Sequence, residues 1–313
     1  MPVAAEGEPL RRLRPEVNVV VKDTSLGARI WDKAIVAALS IVTVLSFAPI
    51  WHTFVLSFSS SGAASAGLVS LWPVDFNFRS YQEIMGDRTF FAAFGVSLQR
   101  VLLGGALNFA LTVMMAYPLS RTSREFKLRN AFMWFLVFTM LFKSGLIPVY
   151  LTVQSYGLLN SIWALVLPVA VPVFNVILLM NFFRSIPKEL DQAAVMDGAG
   201  PWYSLVKLYI PLSVPALATI TLFSLVMHWN SFLDGLIFMN STDKYPLQTY
   251  IQQLVVKINF ENMTAEEAAM ASVVSDKTLN AAKIIVSMAP IVAVYPFIQR
   301  YFIHGIMIGS VKE

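Results

Sequence analysis

The sequence predicts an all-α, polytopic membrane protein with six transmembrane helices, and three observations lead to this. Of the 313 residues, 57% are apolar and only 13% are charged, and the mean hydropathy is +0.64. Such a chain is too apolar to hide its surface in a water-soluble core. Six apolar segments reach the ~20 residues that a helix needs to cross a hydrocarbon core of ~30 Å. They are continuous and lack the period-two alternation of a transmembrane β-barrel.

All six segments are expected to be helices, because backbone polar groups in lipid must be satisfied within the segment. The segments are Ala34 to Phe58, Phe91 to Leu119, Ala131 to Tyr150, Ser161 to Phe183, Leu212 to Met239 and Thr278 to Phe302. Residues 1–29 are polar and are expected to form an N-terminal tail without a cleavable signal peptide. Residues 30–313 are expected to form one transmembrane domain.

The distribution of Lys and Arg predicts the orientation. Fifteen of these cations fall in the N-terminal tail, the loops Arg121 to Asn130 and Arg184 to Lys207, and the C-terminal end. Only five fall in the intervening loops, Ser59 to Thr89 and Asn240 to Lys277. By the positive-inside rule, both termini are expected in the cytoplasm. The net charge of +4 is thus interpreted as a topology signal, and no basic face suggests nucleic-acid binding.

Residues 187–211 form a charged segment between two apolar ones. Pro187 suits the first turn of a helix, and Gly198 suits a left-handed stop. Four residues between them share one small face: Leu190, Ala193, Ala194 and Asp197. The segment is either a linker helix on the membrane surface or a docking element for a cytoplasmic partner.

A second helix is predicted to begin after Gly200, at Pro201. Five of its residues are expected on one side, packed against neighbouring spans: Trp202, Leu205, Val206, Tyr209 and Ile210.

The stretch "QAAVMDGAGPWYSLVKLYIPLSVP" resembles the EAA loop of ABC importer permeases. Ala193, Ala194, the Asp197-Gly198-Ala199 turn and Pro211 stand at matching positions. The stretches "GLIPVYLTVQSYGLLNSIWALVLP" and "YPFIQRYFIHGIMIGSVKE" are similar to permeases of carbohydrate-uptake importers, most of all to the branch for uronate-containing oligosaccharides. The resemblance implies the type I (MetI-like) permease fold for residues 30–313 and a coupling helix within residues 187–211.

The resemblance also implies partners: an ATPase homodimer, a second permease subunit and an extracytoplasmic solute-binding protein. The chain has no Gly-x-x-x-x-Gly-Lys-Ser/Thr loop, so ATP and Mg²⁺ are expected on the ATPase, with no cofactor in this chain. The chain is accordingly expected to be a transport subunit and not an enzyme. The loops Ser59 to Thr89 and Asn240 to Lys277 are either receiving surfaces for the binding protein or solvated connections.

The residues expected to couple to the ATPase lie in the short helix and its stop. They are Glu189, Gln192, Ala193, Ala194, Asp197 and Gly198. In the family the first motif position is usually Glu, which can meet a basic residue of the ATPase. Here it is Gln192, so that ion pair is in doubt, and Glu189 and Asp191 are the nearest carboxylates.

Polar residues within the spans are candidates for the substrate pathway, since ionisable groups in membranes face a polar cavity or one another. The candidates are Arg100, Lys143, His228, Trp229, Asn230 and Asp234. Lys143 precedes Ser144-Gly145, where the third span is expected to break. The alternative is an internal ion pair of Arg100 with Asp234. The three His residues show no metal-ligand spacing, and no Cys is present, so no metal site is expected.

These observations predict a permease subunit of an ATP-driven importer for an oligosaccharide, with an acidic substrate favoured by Arg100 and Lys143. The alternatives are a neutral oligosaccharide or, on weaker grounds, a secondary transporter. The latter would show inverted repeats, and none is found. A membrane enzyme would need a cluster of acids or histidines, and none is found in the sequence.

Overall fold

The computed structural model describes residues 26–256 and 277–309 of the chain. Fifteen α-helices lie within these two ranges, which contain no β-strand. They are α1 (Leu26–Ser57), α2 (Ser61–Ser65), α3 (Arg79–Gly86), α4 (Arg88–Ser120), α5 (Arg129–Leu141), α6 (Leu146–Ser155), α7 (Ile162–Val166), α8 (Val173–Ser185), α9 (Lys188–Met196), α10 (Pro201–Ser204), α11 (Ile210–Leu212), α12 (Val214–Asn230), α13 (Leu233–Phe238), α14 (Leu247–Val256) and α15 (Lys277–Gly309). The predicted all-α fold class is confirmed.

The chain divides into two compact units, one up to Ile50 and one from Trp51 onward. The first unit contains most of α1, which includes the predicted first span apart from its last residue, Phe58. The second unit contains the remaining helices, and all contacts described below belong to it.

Helix α4 is the centre of the second unit. It runs unbroken for 33 residues, or ~50 Å at 1.5 Å per residue. Its lower-numbered half contributes Phe90 and Ala93 to an apolar core shared with α12, α14 and α15. Its other half contributes Ala116 and Leu119 to a core shared with α5, α8 and α12. Because both cores share α4, this helix links the two ends of the bundle.

The predicted third span is not one continuous helix. Helix α5 ends at Leu141, α6 begins at Leu146, and the two axes differ by 114°. Gly145 has φ +85°, a left-handed conformation that other residues rarely adopt, so the turn depends on it. The expected break at Lys143 to Gly145 is confirmed, but its bend is far larger than a kink.

The fourth predicted span is broken as well, and the fifth, Leu212 to Met239, is interrupted at Ser231 and Phe232, between α12 and α13. A 3₁₀ turn follows α7, and this short helical unit meets α8 at 47° across a break that ends at Pro172. The segment Pro201–Leu212 meets α12 at 84°, with the break at Ser213 between two prolines. Proline removes backbone donors and blocks the preceding helical turn, so the breaks at Pro172 and Ser213 have a local cause.

Three single helices are long and apolar enough to cross a membrane: parts of α1, α4 and α15. Each of the three bent pairs is also long and apolar enough for one further span, which brings the described residues to as many as six. The loop predicted at Ser59 to Thr89 contains α2 and α3, and the loop from Asn240 contains α14. The rest of that second loop, residues 257–276, lies outside the described residues.

Candidate functional site

Helix α9 forms where the charged segment was predicted to be helical. Pro187 precedes its first residue, and Glu189 and Asp191 in the first turn favour the positive end of the helix dipole. Gly198 has φ +82° and its N–H donates to the Val195 carbonyl at 3.0 Å. The left-handed stop predicted at Gly198 is therefore confirmed.

The surface of α9 is largely uncovered by the rest of the described chain. The apolar side chains of Leu190, Val195 and Met196 are exposed, Met196 to 87%. The residues expected to couple to the ATPase lie on the same helix and its stop: Glu189, Gln192, Ala193, Asp197 and Gly198 are exposed and Ala194 is half-buried. Apolar side chains exposed together on a charged helix mark an interaction surface.

Arg121 attaches α9 to the end of α4. Its guanidinium forms an ion pair and hydrogen bond with Asp191 of α9 and donates to the Tyr117 hydroxyl. It also lies 4.6 Å from the ring centroid of Tyr117 and 5.0 Å from that of Tyr209, within cation–π range. Asp191 is thus half-buried and engaged within this chain, whereas Leu190, Val195 and Met196 of the same helix are exposed.

The electrostatics of this contact keep Arg121 charged. Burial lowers the pKa of Arg121, but Asp191, Tyr209 and Tyr117 together raise it well above its ordinary value. Sequence analysis counted Arg121 only among the positive charges of its loop. Tyr117 and Arg121 are four residues apart at the end of a helix, a spacing that brings side chains together. This spacing could have predicted their contact from the sequence.

The second predicted helix of the loop differs from expectation. Leu205 and Tyr209 are buried as predicted, but Trp202 is 68% exposed and Val206 is also exposed. Residues Leu205–Tyr209 form a π-helical turn, whose wider winding rotates the residues before it, such as Trp202, relative to those after it. The prediction of one shared buried side is therefore wrong for Trp202 and Val206.

Arg100 lies ~30 Å along α4 from Arg121 and is 1% exposed. Its guanidinium forms an ion pair with Asp234 of α13, with Nη1 3.0 Å from Oδ1, and donates to the Ser231 carbonyl at 3.2 Å. Ser231 Oγ and the Gly235 N–H also donate to Asp234, each at 2.9 Å. Of the two arrangements considered for Arg100, the structure shows the internal ion pair.

His228 and Trp229 are packed between helices. The His228 ring is buried against Gly104, where a Cβ would overlap the imidazole, and Nε2 lies 3.3 Å from the Asn108 side-chain amide. Trp229 is buried, donates to the Ser287 carbonyl at 3.2 Å and meets Phe94 edge-on. Neither side chain is exposed in the way expected of a sugar-binding residue.

Two predicted pathway residues are exposed. Asn230 is the last residue of α12, and Lys143 lies in the break between α5 and α6. None of the carboxylates in the described ranges lies within 4.0 Å of the Lys143 ammonium. Lys143 is therefore free to meet an external anion.

A polar cluster that sequence analysis did not assign joins α4, α14 and α15. Lys283 Nζ lies 2.7 Å from both Asp87 Oδ2 and the Tyr250 hydroxyl, and Asp87 caps α4 by accepting from the Phe90 N–H. Burial raises the pKa of Asp87, but the hydrogen bonds from Lys283, Phe90 and Tyr250 lower it below its ordinary value. Lys283 lies within the predicted sixth span, Thr278 to Phe302, and its partner is 196 residues away in the sequence.

No group of three or more His, Cys, Asp or Glu that could hold a metal ion occurs in the part of the chain that the structure describes. The candidate site consists of helix α9, its charged attachment to α4 and the break between α5 and α6.

Residues 108–308 match the family described as "Binding-protein-dependent transport system inner membrane component". The chain belongs to this family. The permease is 36% identical over 284 residues to the "Polygalacturonan/rhamnogalacturonan transport system permease protein YtcP" of Bacillus subtilis, covering 91% of this chain and 99% of that protein. It is 34% identical to "Protein LplC" of the same organism, with 91% and 95% covered.

A solved structure shares the permease fold. One chain of "a bacterial ABC transporter involved in the import of the acidic polysaccharide alginate" superposes with a TM-score of 0.80 at 33% identity, covering 89% of the permease and 98% of that chain. The expected MetI-like fold is thus confirmed. The permease is the multi-pass inner-membrane subunit of an ABC importer, a transport component whose ATPase and solute-binding protein are separate chains.

Proposed function

We propose that the permease imports an acidic, uronate-containing oligosaccharide. The observation that carries this is similarity along nearly the whole chain to two proteins named for acidic polysaccharides: a polygalacturonan/rhamnogalacturonan permease and an alginate importer. Each substrate presents a carboxylate beside hydroxyls and a sugar ring, so its pathway needs cations together with hydrogen-bonding and flat apolar groups.

Lys143 is the cation that supports an acidic substrate. It lies in the sharp break after α5, is exposed and pairs with no carboxylate among the described residues. Beside it, Ser144, Thr152 and Tyr156 line an open cleft of about 670 Å³. Tyr156 is 75% exposed, and an aromatic ring beside hydroxyls, in a cleft that begins at the residue after Lys143, suits a uronate ring.

Arg100, unlike Lys143, has a structural role. Because Asp234 already neutralises its buried guanidinium, Arg100 stabilises the bundle and does not attract substrate. The preference for an acidic substrate therefore depends on Lys143, with Asn230 as a further exposed polar contact.

In the proposed assembly, α9 is the coupling helix that enters a cleft of the ATPase homodimer. Its exposed Leu190, Val195 and Met196 support this role, since these side chains need a partner surface. Arg121 and Asp191 hold the helix to α4, so movement of the ATPase would be transmitted along α4. ATP and Mg²⁺ are bound by the ATPase, and this chain needs no cofactor of its own.

A second permease subunit completes the pathway, and both termini face the cytoplasm. The exposed aromatic side of α5, with Trp134, Phe135 and Phe138, supports a neighbour or lipid on that face. The solute-binding protein approaches from the outer side of the membrane, opposite the termini, near the segments that contain α2, α3 and α14. The charge distribution between the two sets of loops supports this orientation.

Uptake by the reconstituted complex tests the substrate class. We expect transport of a di- or trigalacturonate to exceed that of a neutral disaccharide, and Lys143→Gln to reduce only acidic uptake, by about ten-fold. Lys127→Gln, at an exposed position of the loop before α5, is the matched control. Equal uptake of acidic and neutral sugars, or an equal loss of both in Lys143→Gln, would contradict the proposal.

A further inference from the structure

A cavity of about 430 Å³ lies between α9, the end of α4 and the beginning of α5. Four cations line it, Arg121, Arg129, Arg184 and Lys188, together with the carboxylates of Glu125 and Asp191 and the amide of Gln192. Arg121 is already paired with Asp191. The remaining cations outnumber the remaining carboxylate three to one, so the cavity carries positive charge.

Two of these cations are held unusually close together. Arg129 Nε and Arg184 Nη2 both donate to the Leu119 carbonyl, at 3.0 and 2.9 Å. The Leu119 carbonyl therefore serves two guanidinium groups, and Arg129 Nη1 also donates to Asn130 Oδ1 at 3.0 Å. Neither guanidinium has a described carboxylate within 4.0 Å. Like charges at this separation repel each other, and an anion bound between them would relieve that repulsion.

The nearby carboxylate does not serve as that anion. Glu125 accepts hydrogen bonds from the Thr122 N–H at 2.7 Å and the Thr122 hydroxyl at 2.9 Å, within its own turn. Lys188 adds a further cation at the first position of α9 and makes no hydrogen bond with any described residue.

We propose that this cavity, lined by Arg129, Arg184, Lys188 and Gln192, receives a carboxylate side chain of the ATPase. The inference rests on the proposed function, because it requires that α9 docks on the ATPase. A protein partner is favoured over a lipid phosphate, since Leu190, Val195 and Met196 of the same helix are exposed and need a protein surface to cover them.

The proposal gives a physical reason for the neutral residue at position 192. The amide of Gln192 can donate a hydrogen bond to an incoming carboxylate, whereas a Glu there would repel it and would neutralise Arg184 or Lys188. In this contact the permease contributes the positive charges and the ATPase contributes the carboxylate. A basic ATPase partner for position 192 predicts the opposite response to Gln192→Glu.

The test is retention of the ATPase on the purified permease complex, measured against NaCl concentration. We expect Lys188→Glu and Gln192→Glu each to weaken retention by about ten-fold, as for the loss of a charge-assisted contact, with a shallower salt dependence than the unmodified complex. Lys127→Glu, an exposed cation outside the cavity, is the control and should retain the ATPase normally. Stronger retention in Gln192→Glu would overturn the proposal.

A second arm identifies the occupant. Replacing ATPase surface carboxylates one at a time by Lys should reveal one change that restores retention of Lys188→Glu. If no such replacement restores it, and Lys188→Glu instead abolishes a dependence of ATP hydrolysis on anionic phospholipid in nanodiscs, the occupant is a lipid phosphate and the proposal is wrong. Failure of the proposed coupling role of α9 is distinguishable, because Gly198→Val, which displaces the end of α9, would then leave ATPase retention unchanged.

Discussion

At the residue scale, the buried ion pair of Arg100 and Asp234 joins α4 to α13. Arg100 reaches α13 from the middle of α4 and also donates to the Ser231 carbonyl. A charge at this depth must be paired, because desolvation of a lone guanidinium costs several kcal/mol. We therefore expect loss of this pair to reduce the stability of the protein, and to affect transport only through that loss.

We predict that Arg100→Gln lowers the stability of the assembled complex by about 3 kcal/mol, because Asp234 is left without its partner. The double variant Arg100→Gln/Asp234→Asn should recover part of this loss. Thermal unfolding of the purified complex without substrate measures both. Unchanged unfolding combined with a selective loss of acidic-sugar uptake would show instead that Arg100 contacts substrate.

Close packing at Gly104 provides a second residue-scale prediction. A Cβ at this position would overlap the His228 ring, so Gly104→Ala should destabilise the complex by about 1 to 3 kcal/mol. Gly95→Ala on the same helix is the control, since no atom lies within 4 Å of its Cβ position. Thermal unfolding should separate the two variants. Equal unfolding temperatures would mean that His228 moves aside without cost.

At the element scale, α4 carries a charged attachment near each end and one along its length. Asp87 binds Lys283 before its first residue, Arg100 binds Asp234 along it, and Arg121 binds Asp191 after its last residue. Helix α4 is unbroken from Arg88 to Ser120 and is bound to α9 through Arg121, whereas three of the predicted spans are interrupted. It is therefore well suited to transmit movement from α9.

We predict that Arg121→Gln uncouples ATP hydrolysis from transport, because α9 loses a charge-assisted contact worth about 1.5 to 3 kcal/mol and its aromatic stacking. The measurement is substrate transported per ATP hydrolysed in proteoliposomes. Arg124→Gln, exposed in the same loop, should keep the normal ratio. A normal ratio in Arg121→Gln would exclude Arg121 from positioning α9.

The left-handed turn after α9 provides another element-scale prediction. Gly198→Val forces a β-branched residue into φ +82°, at a cost of at least about 1 to 2 kcal/mol, and should displace the end of α9. Gly200→Ala is the control because Gly200 has φ −76° and an open Cβ position. We expect copurification of the ATPase to fall only in Gly198→Val. Full copurification in that variant would show that docking does not depend on this turn.

At the scale of the whole molecule, orientation in the membrane is open to a direct test because the chain contains no cysteine. We predict that Ser70→Cys and Thr242→Cys react with a membrane-impermeant maleimide added outside the cell. Ser123→Cys should react only after the membrane is permeabilised. All three positions are exposed, so access depends on the side of the membrane. Labelling of Ser123→Cys in intact cells would invert the predicted orientation.

The sequence by itself determined the features that depend on neighbouring residues. Apolar runs of sufficient length located the candidate spans, Gly198 marked the end of α9, and Ser144-Gly145 marked the break after α5. Each of these features depends on the backbone conformation or the hydrophobicity of a few neighbouring residues. Both properties can be inferred from the residue types alone. The motif in residues 192–215 added the family, which the comparisons confirmed.

Only the tertiary structure decided which distant groups meet. Arg100 and Asp234 are 134 residues apart, and Arg121 and Asp191 are 70 apart. Hydrophobic pattern leaves such pairings open, because they depend on the rotation and bend of packed helices. The 114° angle between α5 and α6 and the π-helical turn at Leu205–Tyr209 were likewise not evident from the sequence. Burial of Arg100, His228 and Trp229 follows from how α4, α12 and α15 pack, since packing determines which face of a span is enclosed by protein.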